Sequence, residues 1–138
     1  MICGMDIKGN EAIIALCKIA EGKLSYVESR FKKIALDASD QDHYQSFHET
    51  FSSFIRQNNI EKIYLKKPVD RGQQTAGANA FRIEALLNLS EVPVISIHAI
   101  TITSYLKKNT LSVDNCEKSN KYQAGALGAV YCGVSNGR

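Results

Sequence analysis

Basic side chains gather around one short apolar segment near the middle of the chain. They are Lys62, Lys66, Lys67, Arg71 and Arg82. Arg71 and Gly72 come just before a stretch with helical spacing, and a helix start beside basic residues suits a phosphate, because free backbone N–H groups and positive charge both attract an anion. Lys66, Lys67, Arg71 and Gly72 are therefore the predicted ligand-binding residues. A solvated basic loop is the commoner explanation of such a cluster and stays open.

His98 is the other side chain placed for chemistry, because it ends a predicted strand. Ligands gather at the carboxyl ends of strands in open α/β sheets, so His98 could face the same end as the basic cluster. The familiar catalytic motifs are absent from the sequence: there is no Walker-type or GxGxxG phosphate loop, no HExxH and no GxSxG. These absences argue against the common nucleotide-binding, zinc-protease and serine-hydrolase classes.

The four cysteines, Cys3, Cys17, Cys116 and Cys132, are widely spaced and include no CxxC pair. A zinc site is therefore not expected. Cys3 and Cys17 lie in apolar runs, where a reduced thiol behaves as a small hydrophobic group. We predict four free thiols and no resident cofactor.

Length and composition fit an ordinary globular protein. The chain has 138 residues, 44% hydrophobic and 22% charged, with a net charge of +3. We predict a single domain over residues 1–138, cytoplasmic and without a signal peptide or membrane-spanning run. The mild positive charge permits a nucleic-acid or phosphate partner without requiring one. A homodimer is left open.

Hydrophobic patterns predict three strands at the start of the chain, Ile2–Ile7, Ala12–Ile19 and Leu24–Arg30. Tight turns at Lys8-Gly9-Asn10 and Glu21-Gly22-Lys23 separate them. The second run is apolar on both faces, which is typical of a central strand. The chain therefore opens with an antiparallel meander.

Helices and strands alternate after the meander. A first helix is predicted from a cap at Ser39 to Asn58-Asn59, and a last helix within Cys116–Cys132. Between them come strands at Ile60–Leu65 and Val92–Ile97, separated by a second helix whose apolar face includes Ala76, Ala80, Ile83 and Leu87. Residues 99–108 fit either a strand or a short helix.

This order predicts an α/β fold with a five-stranded mixed sheet in the order 3-2-1-4-5, strand 2 antiparallel and helices on both faces. It is the order of the ribonuclease-H-like fold. Three segments resemble the RuvC-resolvase-like branch of that superfamily: Ile2–Asp6 is similar to its first strand, Val92–Ile95 to the start of its fifth, and Ala124–Ala129 to its final helix. The chain especially resembles a small uncharacterised bacterial family of this fold.

The resemblance implies a metal site of which one ligand remains. Asp6 matches the aspartate that binds a catalytic metal in RuvC-like resolvases. Their fourth strand ends in a glutamate where this chain has Lys66, and aligning the last helix puts Tyr122 and Gly125 at its acidic positions. Asp114 and Glu117 remain as substitute carboxylates.

Cleavage of a phosphodiester by two metals needs ions about 4 Å apart and several carboxylates to hold them. We expect Lys66 to form an ion pair with Asp6 instead, with its ammonium group in the place of a metal.

Three functions follow from these residues. The first is binding of nucleic acid or another phosphate ligand without cleavage, which implies no enzyme activity. The second is a Mg²⁺- or Mn²⁺-dependent nuclease that uses Asp6 with Asp114 or Glu117. The third is a protein-interaction or structural module that takes no phosphate ligand.

Overall fold

The computed structural model describes residues 1–70 and 77–138. Within them the elements are β1 (Ile2–Lys8), β2 (Glu11–Ala20), β3 (Lys23–Val27), β4 (Lys33–Ala35), α1 (Gln41–Gln57), β5 (Lys62–Lys67), α2 (Ala78–Leu87), β6 (Val94–His98), α3 (Ala99–Lys108) and α4 (Ala124–Ser135). Two short 3-10 turns, Cys116–Lys118 and Lys121–Gln123, precede α4. No helix in these two ranges is long and apolar enough to cross a lipid bilayer.

The sheet confirms the predicted topology with one added strand. Its order is β3-β2-β1-β5-β6, and β4 pairs with β2 beside β3. β2 runs antiparallel to β1, β3 and β4, whereas β1, β5 and β6 are parallel. The prediction of five strands is wrong, because β4 has three residues, too few to show a hydrophobic period.

The two predicted hairpin turns are present. Glu21 and Gly22 form the two-residue loop between β2 and β3, with φ of 53° and 77°. Positive φ at both positions gives a type I′ turn, whose twist matches that of the flanking strands. Gly9, between β1 and β2, has φ of 59°, which glycine adopts without steric cost.

Two apolar layers cover the two faces of the sheet. On one face, α1 and α2 pack over residues such as Met5, Ile14 and Leu65. On the other face, which we call the α4 face, α4 and α3 pack over Tyr64 and Ile97 among others. The central strand β1 is thus covered on both sides, as its apolar sequence requires.

Several element boundaries differ from the prediction. The side chain of Asp40, not Ser39, caps α1, since its carboxylate accepts from the His43 N–H at 3.2 Å. β3 ends at Val27 instead of Arg30. Residues 99–108 form helix α3, whose Ile102 is buried against Gly128 of α4. Packing on α4 favours the helix there despite the β-branched residues.

Candidate functional site

Asp6 lies on the α4 face near the carboxyl end of β1, and its residue is 4% exposed. α4 approaches β1 closely at this point. A Cβ on Gly125 would overlap the Asp6 carboxylate, and a Cβ on Gly4 would overlap the Ala126 carbonyl oxygen. The carboxyl of Asp6 is therefore packed directly against the backbone of Gly125.

The Asp6 carboxylate is poorly satisfied in this position. Its Oδ2 atom is buried and has no hydrogen-bond partner in the part of the chain that the structure describes. Burial raises the pKa of Asp6, while the ammonium groups of Lys66 and Lys8 and the Ile7 N–H lower it by less. The surroundings of Asp6 thus oppose its ionised form overall.

Lys66 lies directly across from Asp6 in the parallel register of β1 and β5. It shares the α4 face with Asp6, as expected, and is half-buried. The expected ion pair between them stays a prediction; among the described residues the salt bridge to Asp6 within 4.0 Å is that of Lys8 Nζ with Asp6 Oδ2, at 3.9 Å. Lys8 takes this position because it lies two residues along the same strand, on the same face. The charge of Lys66 nevertheless lowers the pKa of Asp6 by more than that of Lys8 does.

Lys33 of β4 also lies on the α4 face, since it pairs with Ile13, which pairs with Asp6. Its Nζ lies 4.2 Å from the centroid of the Tyr122 ring, in a cation–π contact. Tyr122 belongs to the 3-10 turn just before α4, three residues ahead of Gly125. The two positions that the resemblance marks as acidic therefore meet Lys33 in one case and Asp6 in the other.

Lys67, another predicted ligand-binding residue, does not lie beside Asp6. Strand alternation puts Lys67 and its neighbour in register, His98, on the face opposite to Asp6. His98 does lie at the expected end of the sheet, and it is exposed. Arg71 and Gly72 lie outside the described residues.

Asp114 lies at the opposite end of the sheet from Asp6. Its backbone N–H donates to the Leu24 carbonyl and its carbonyl accepts from the Tyr26 N–H. Leu24 pairs with Ile19 of β2, whereas Asp6 pairs with Ile13, six residues earlier. At about 3.3 Å per residue the separation is roughly 20 Å.

Glu117 is equally unsuited to complete a metal site. It lies in the 3-10 turn that contacts β3, and it is exposed. Glu11, which lies across from Lys8, is the nearer acidic residue on the α4 face. Residues 1–70 and 77–138 contain no group of three His, Cys, Asp or Glu side chains that could hold a metal ion. The described residues around Asp6 therefore do not fit a two-metal centre.

The cysteines lie away from this chemistry. All four are free in the structure, and Cys3 and Cys17 are buried. Burial raises the pKa of Cys17 to about 12, so its thiolate is scarce at neutral pH. The prediction that all four are free thiols in solution is left to mass measurement after alkylation.

Three solved structures share this architecture. RuvC of Thermus thermophilus in complex with a Holliday junction substrate is 10% identical, with a TM-score of 0.69, and the match covers 99% of this chain and 94% of that one. A second T. thermophilus RuvC structure is 9% identical, with a TM-score of 0.67 and coverage of 99% and 95%. The Fowlpox virus resolvase with Holliday junction DNA is 12% identical, with a TM-score of 0.50 and coverage of 99% and 97%.

Identities this low show the fold, which is the RuvC-like form of the ribonuclease-H-like fold, as the sequence predicts. No curated protein matches the chain by sequence. The family described as "Protein of unknown function (DUF3010)" matches residues 1–133, and the chain belongs to that family.

Proposed function

We propose that this RuvC-like domain binds nucleic acid and does not cleave it. The packing of Gly125 on Asp6 carries the non-cleaving part of the proposal. A metal site at Asp6 needs further carboxylates pointing into the same space, and the closeness of α4 leaves no room for one at position 125. A single buried carboxylate cannot hold two ions at the spacing that phosphodiester cleavage requires.

Lys66 is the second part of the proposal. It lies across from Asp6 in register, and its positive charge favours the ionised carboxylate. We propose that this ammonium group supplies part of the charge that metal ions supply in nucleases of this fold. A cation next to the carboxylate also repels divalent ions that seek the same oxygens.

Nucleic acid is proposed as the ligand on two grounds. The fold resembles that of RuvC, which was solved with a Holliday junction substrate. The chain also carries a net charge of +3, which favours a polyanion. The fold alone does not decide function, so the ligand has to be tested directly.

The test is binding and cleavage of a labelled four-way DNA junction by the full chain. With EDTA present, fluorescence anisotropy should show binding that weakens as KCl rises. With Mg²⁺ or Mn²⁺ the same DNA should remain intact on a denaturing gel. Cutting that Asp6→Asn abolishes would overturn the non-cleaving part. Absence of salt-dependent binding to junction, duplex and single-stranded DNA or RNA would leave the protein-interaction module.

A further inference from the structure

The positive charge of the chain is concentrated in the layer that covers the α4 face. Residues 92–138 contain five lysines and arginines against two carboxylates, so the whole net charge of +3 lies in this part of the sequence. The two carboxylates, Asp114 and Glu117, lie beside β3. Helix α3 packs on β6 and β5, at the opposite edge of the sheet. The α3 side of this layer therefore carries positive charge that neither carboxylate offsets.

An open groove of about 650 Å³ lies between α3 and the residues that follow α4. Tyr105 and Lys108 of α3 line it on one side, and Asn136 and Arg138 line it on the other. None of the described residues that line the groove is acidic. The groove therefore brings two basic residues and one aromatic residue to a single open space.

Contacts behind the groove hold its two sides in place. The Tyr105 ring packs edge-on against the Tyr131 ring of α4, with 5.6 Å between the ring centroids. The Arg138 carbonyl accepts from Lys62 Nζ at 3.3 Å and from the Tyr64 hydroxyl, which attaches the segment after α4 to β5. The Tyr105 ring and the Arg138 backbone are thus positioned before a ligand binds, and this lowers the entropy cost of binding.

This combination of residues suits single-stranded nucleic acid. Lys108 and Arg138 can each pair with a backbone phosphate, and an aromatic ring can stack on an exposed base. Ile100, which also lines the groove, is 75% exposed and offers a base a further apolar contact. In a duplex the faces of the bases are already stacked on one another, so Tyr105 would add little to duplex binding.

We infer that the groove between α3 and the end of α4 binds a single-stranded segment of nucleic acid, with Lys108 and Arg138 on phosphates and Tyr105 against a base. The inference rests on the proposed function, and it names the form of the nucleic acid and the surface that binds it. This surface is separate from Asp6, which packs on Gly125 near the start of α4, whereas Arg138 follows the end of that helix.

The test compares two variants of the full chain with the same loss of charge. In the groove variant Lys108 and Arg138 become Gln. In the control variant Lys18 and Arg30 become Gln; both are exposed, and both lie on the α1 side of the sheet. Fluorescence anisotropy with a labelled thymidine oligonucleotide in EDTA, over a series of KCl concentrations, gives the affinity and its salt dependence. Urea unfolding checks that every variant folds.

For the groove variant we expect an affinity loss of about tenfold or more, which corresponds to about 1.4 kcal/mol. The slope of log K against log[KCl] should become shallower by about 1.4, because each phosphate contact with a single strand contributes about 0.7. The control variant should lose much less affinity. Equal losses in the groove and control variants would overturn the inference while leaving the proposed function intact.

Tyr105 provides a second readout, one that does not depend on charge. Tyr105→Phe keeps the ring and should keep the affinity for the oligonucleotide. Tyr105→Leu keeps an apolar side chain but removes the ring, and it should lower the affinity about fivefold or more, which corresponds to about 1 kcal/mol. Binding to a blunt duplex should change little in either variant. If the two variants bind the single strand alike, no base stacks on Tyr105 and the inference is wrong.

Competition with polyglutamate separates nucleic acid from an acidic protein segment as the occupant of the groove. At equal charge, polyglutamate should displace the labelled oligonucleotide much less well than the unlabelled oligonucleotide does, because it has no base to stack. Equal displacement by both competitors would mean that the groove recognises charge alone, and it would overturn the inference. If the unmodified protein binds no nucleic acid at all, the proposed function fails first and the inference fails with it.

Discussion

Gly125 determines what can surround the Asp6 carboxyl. Any larger residue places its Cβ on the Asp6 oxygen, and Asp6 has little room to turn because it is buried. The packing explains why a helix with such a small side can lie so close to β1. Position 125 therefore controls whether a further side chain can reach the Asp6 carboxyl.

We predict that Gly125→Ala destabilises the protein by about 1–3 kcal/mol, the usual cost of overpacking. The higher helix propensity of alanine offsets up to about 1 kcal/mol of this. Urea unfolding measures the difference. Gly77→Ala is the matched control, because its Cβ would meet no atom within 4 Å in the described part of the chain.

The Asp6→Ala, Gly125→Ala double variant identifies the source of the strain. Removing the carboxylate frees the space that the new methyl group needs, so the double variant should lose less stability than the sum of the two single changes. A Gly125→Ala protein as stable as the unmodified chain would contradict the close packing.

The buried carboxyl of Asp6 should also affect stability as pH changes. Because burial raises its folded pKa above the unfolded value of about 3.9, the folded state binds more protons between those two values. The free energy of unfolding therefore falls as pH rises through that window and is lowered by a constant amount above it.

We predict that Asp6→Asn removes this pH dependence. Relative to the unmodified protein, the variant should gain stability as pH rises from below 4 to neutrality, and urea unfolding across that range measures the gain. Asp114→Asn, on the exposed surface, is the control. A variant that instead loses stability toward neutral pH would mean that Lys8 and Lys66 stabilise the ionised carboxylate by more than burial costs it.

At the level of elements, Gln123 joins the start of α4 to the sheet. β2 pairs with β4 as far as Ile13 and with β3 from Leu16; between them the Ile14 N–H donates to the Lys32 carbonyl, and its own carbonyl has no strand partner. The Gln123 Nε2 donates to the Ile14 carbonyl at 2.8 Å, and its Oε1 accepts from the Tyr26 hydroxyl at 3.2 Å and the Asn120 N–H at 2.9 Å. The buried Gln123 side chain thus provides hydrogen bonds where the partner of β2 changes from β4 to β3.

We predict that Gln123→Leu lowers the free energy of unfolding by about 1–3 kcal/mol, because it leaves buried backbone groups unpaired. Tyr26→Phe removes one of the three bonds and should cost about 1 kcal/mol. Urea unfolding of both variants gives the comparison. The control is Asn136→Ala, which loses a partly buried bond to the Cys132 carbonyl at the other end of α4. If Gln123→Leu and Asn136→Ala lower the free energy of unfolding equally, the buried Gln123 hydrogen bonds stabilise the protein no more than an ordinary partly buried bond does.

The elements also show how far the sequence predicts the structure. β1, β2 and their glycine turns follow from continuous apolar runs, and the parallel crossovers follow from the helices between later strands. The sequence does not predict β4, because a strand of three residues shows no hydrophobic period, and the position of Lys33 on it is therefore not predicted either. The identity of Asp6 as a site residue came from the resemblance. The contacts of Asp6 with Lys8 and Gly125 depend on register and helix packing, which residue types alone do not determine.

At the level of the whole molecule, similarity in fold does not determine the chemistry of the site. The backbone matches that of a RuvC resolvase over nearly its full length at 10% identity. In this chain Asp6 lies next to Lys8, across from Lys66 and beneath Gly125. The match in fold therefore does not establish the chemistry at Asp6, which depends on the few positions around its carboxyl.

Placing a second carboxylate beside Asp6 tests whether the chemistry of the site can be changed within the same fold. Lys66→Glu puts an acidic residue in register with Asp6 and removes a competing cation. Metal affinity should still be weak, with dissociation constants for Mg²⁺ and Mn²⁺ above roughly 1 mM, because Gly125 leaves no room for a further ligand and hard cations need several oxygens. Calorimetry on the variant and on the unmodified protein measures this directly. Stoichiometric, micromolar binding by the unmodified protein that Asp6→Asn abolishes would refute the metal-free site and restore the nuclease hypothesis.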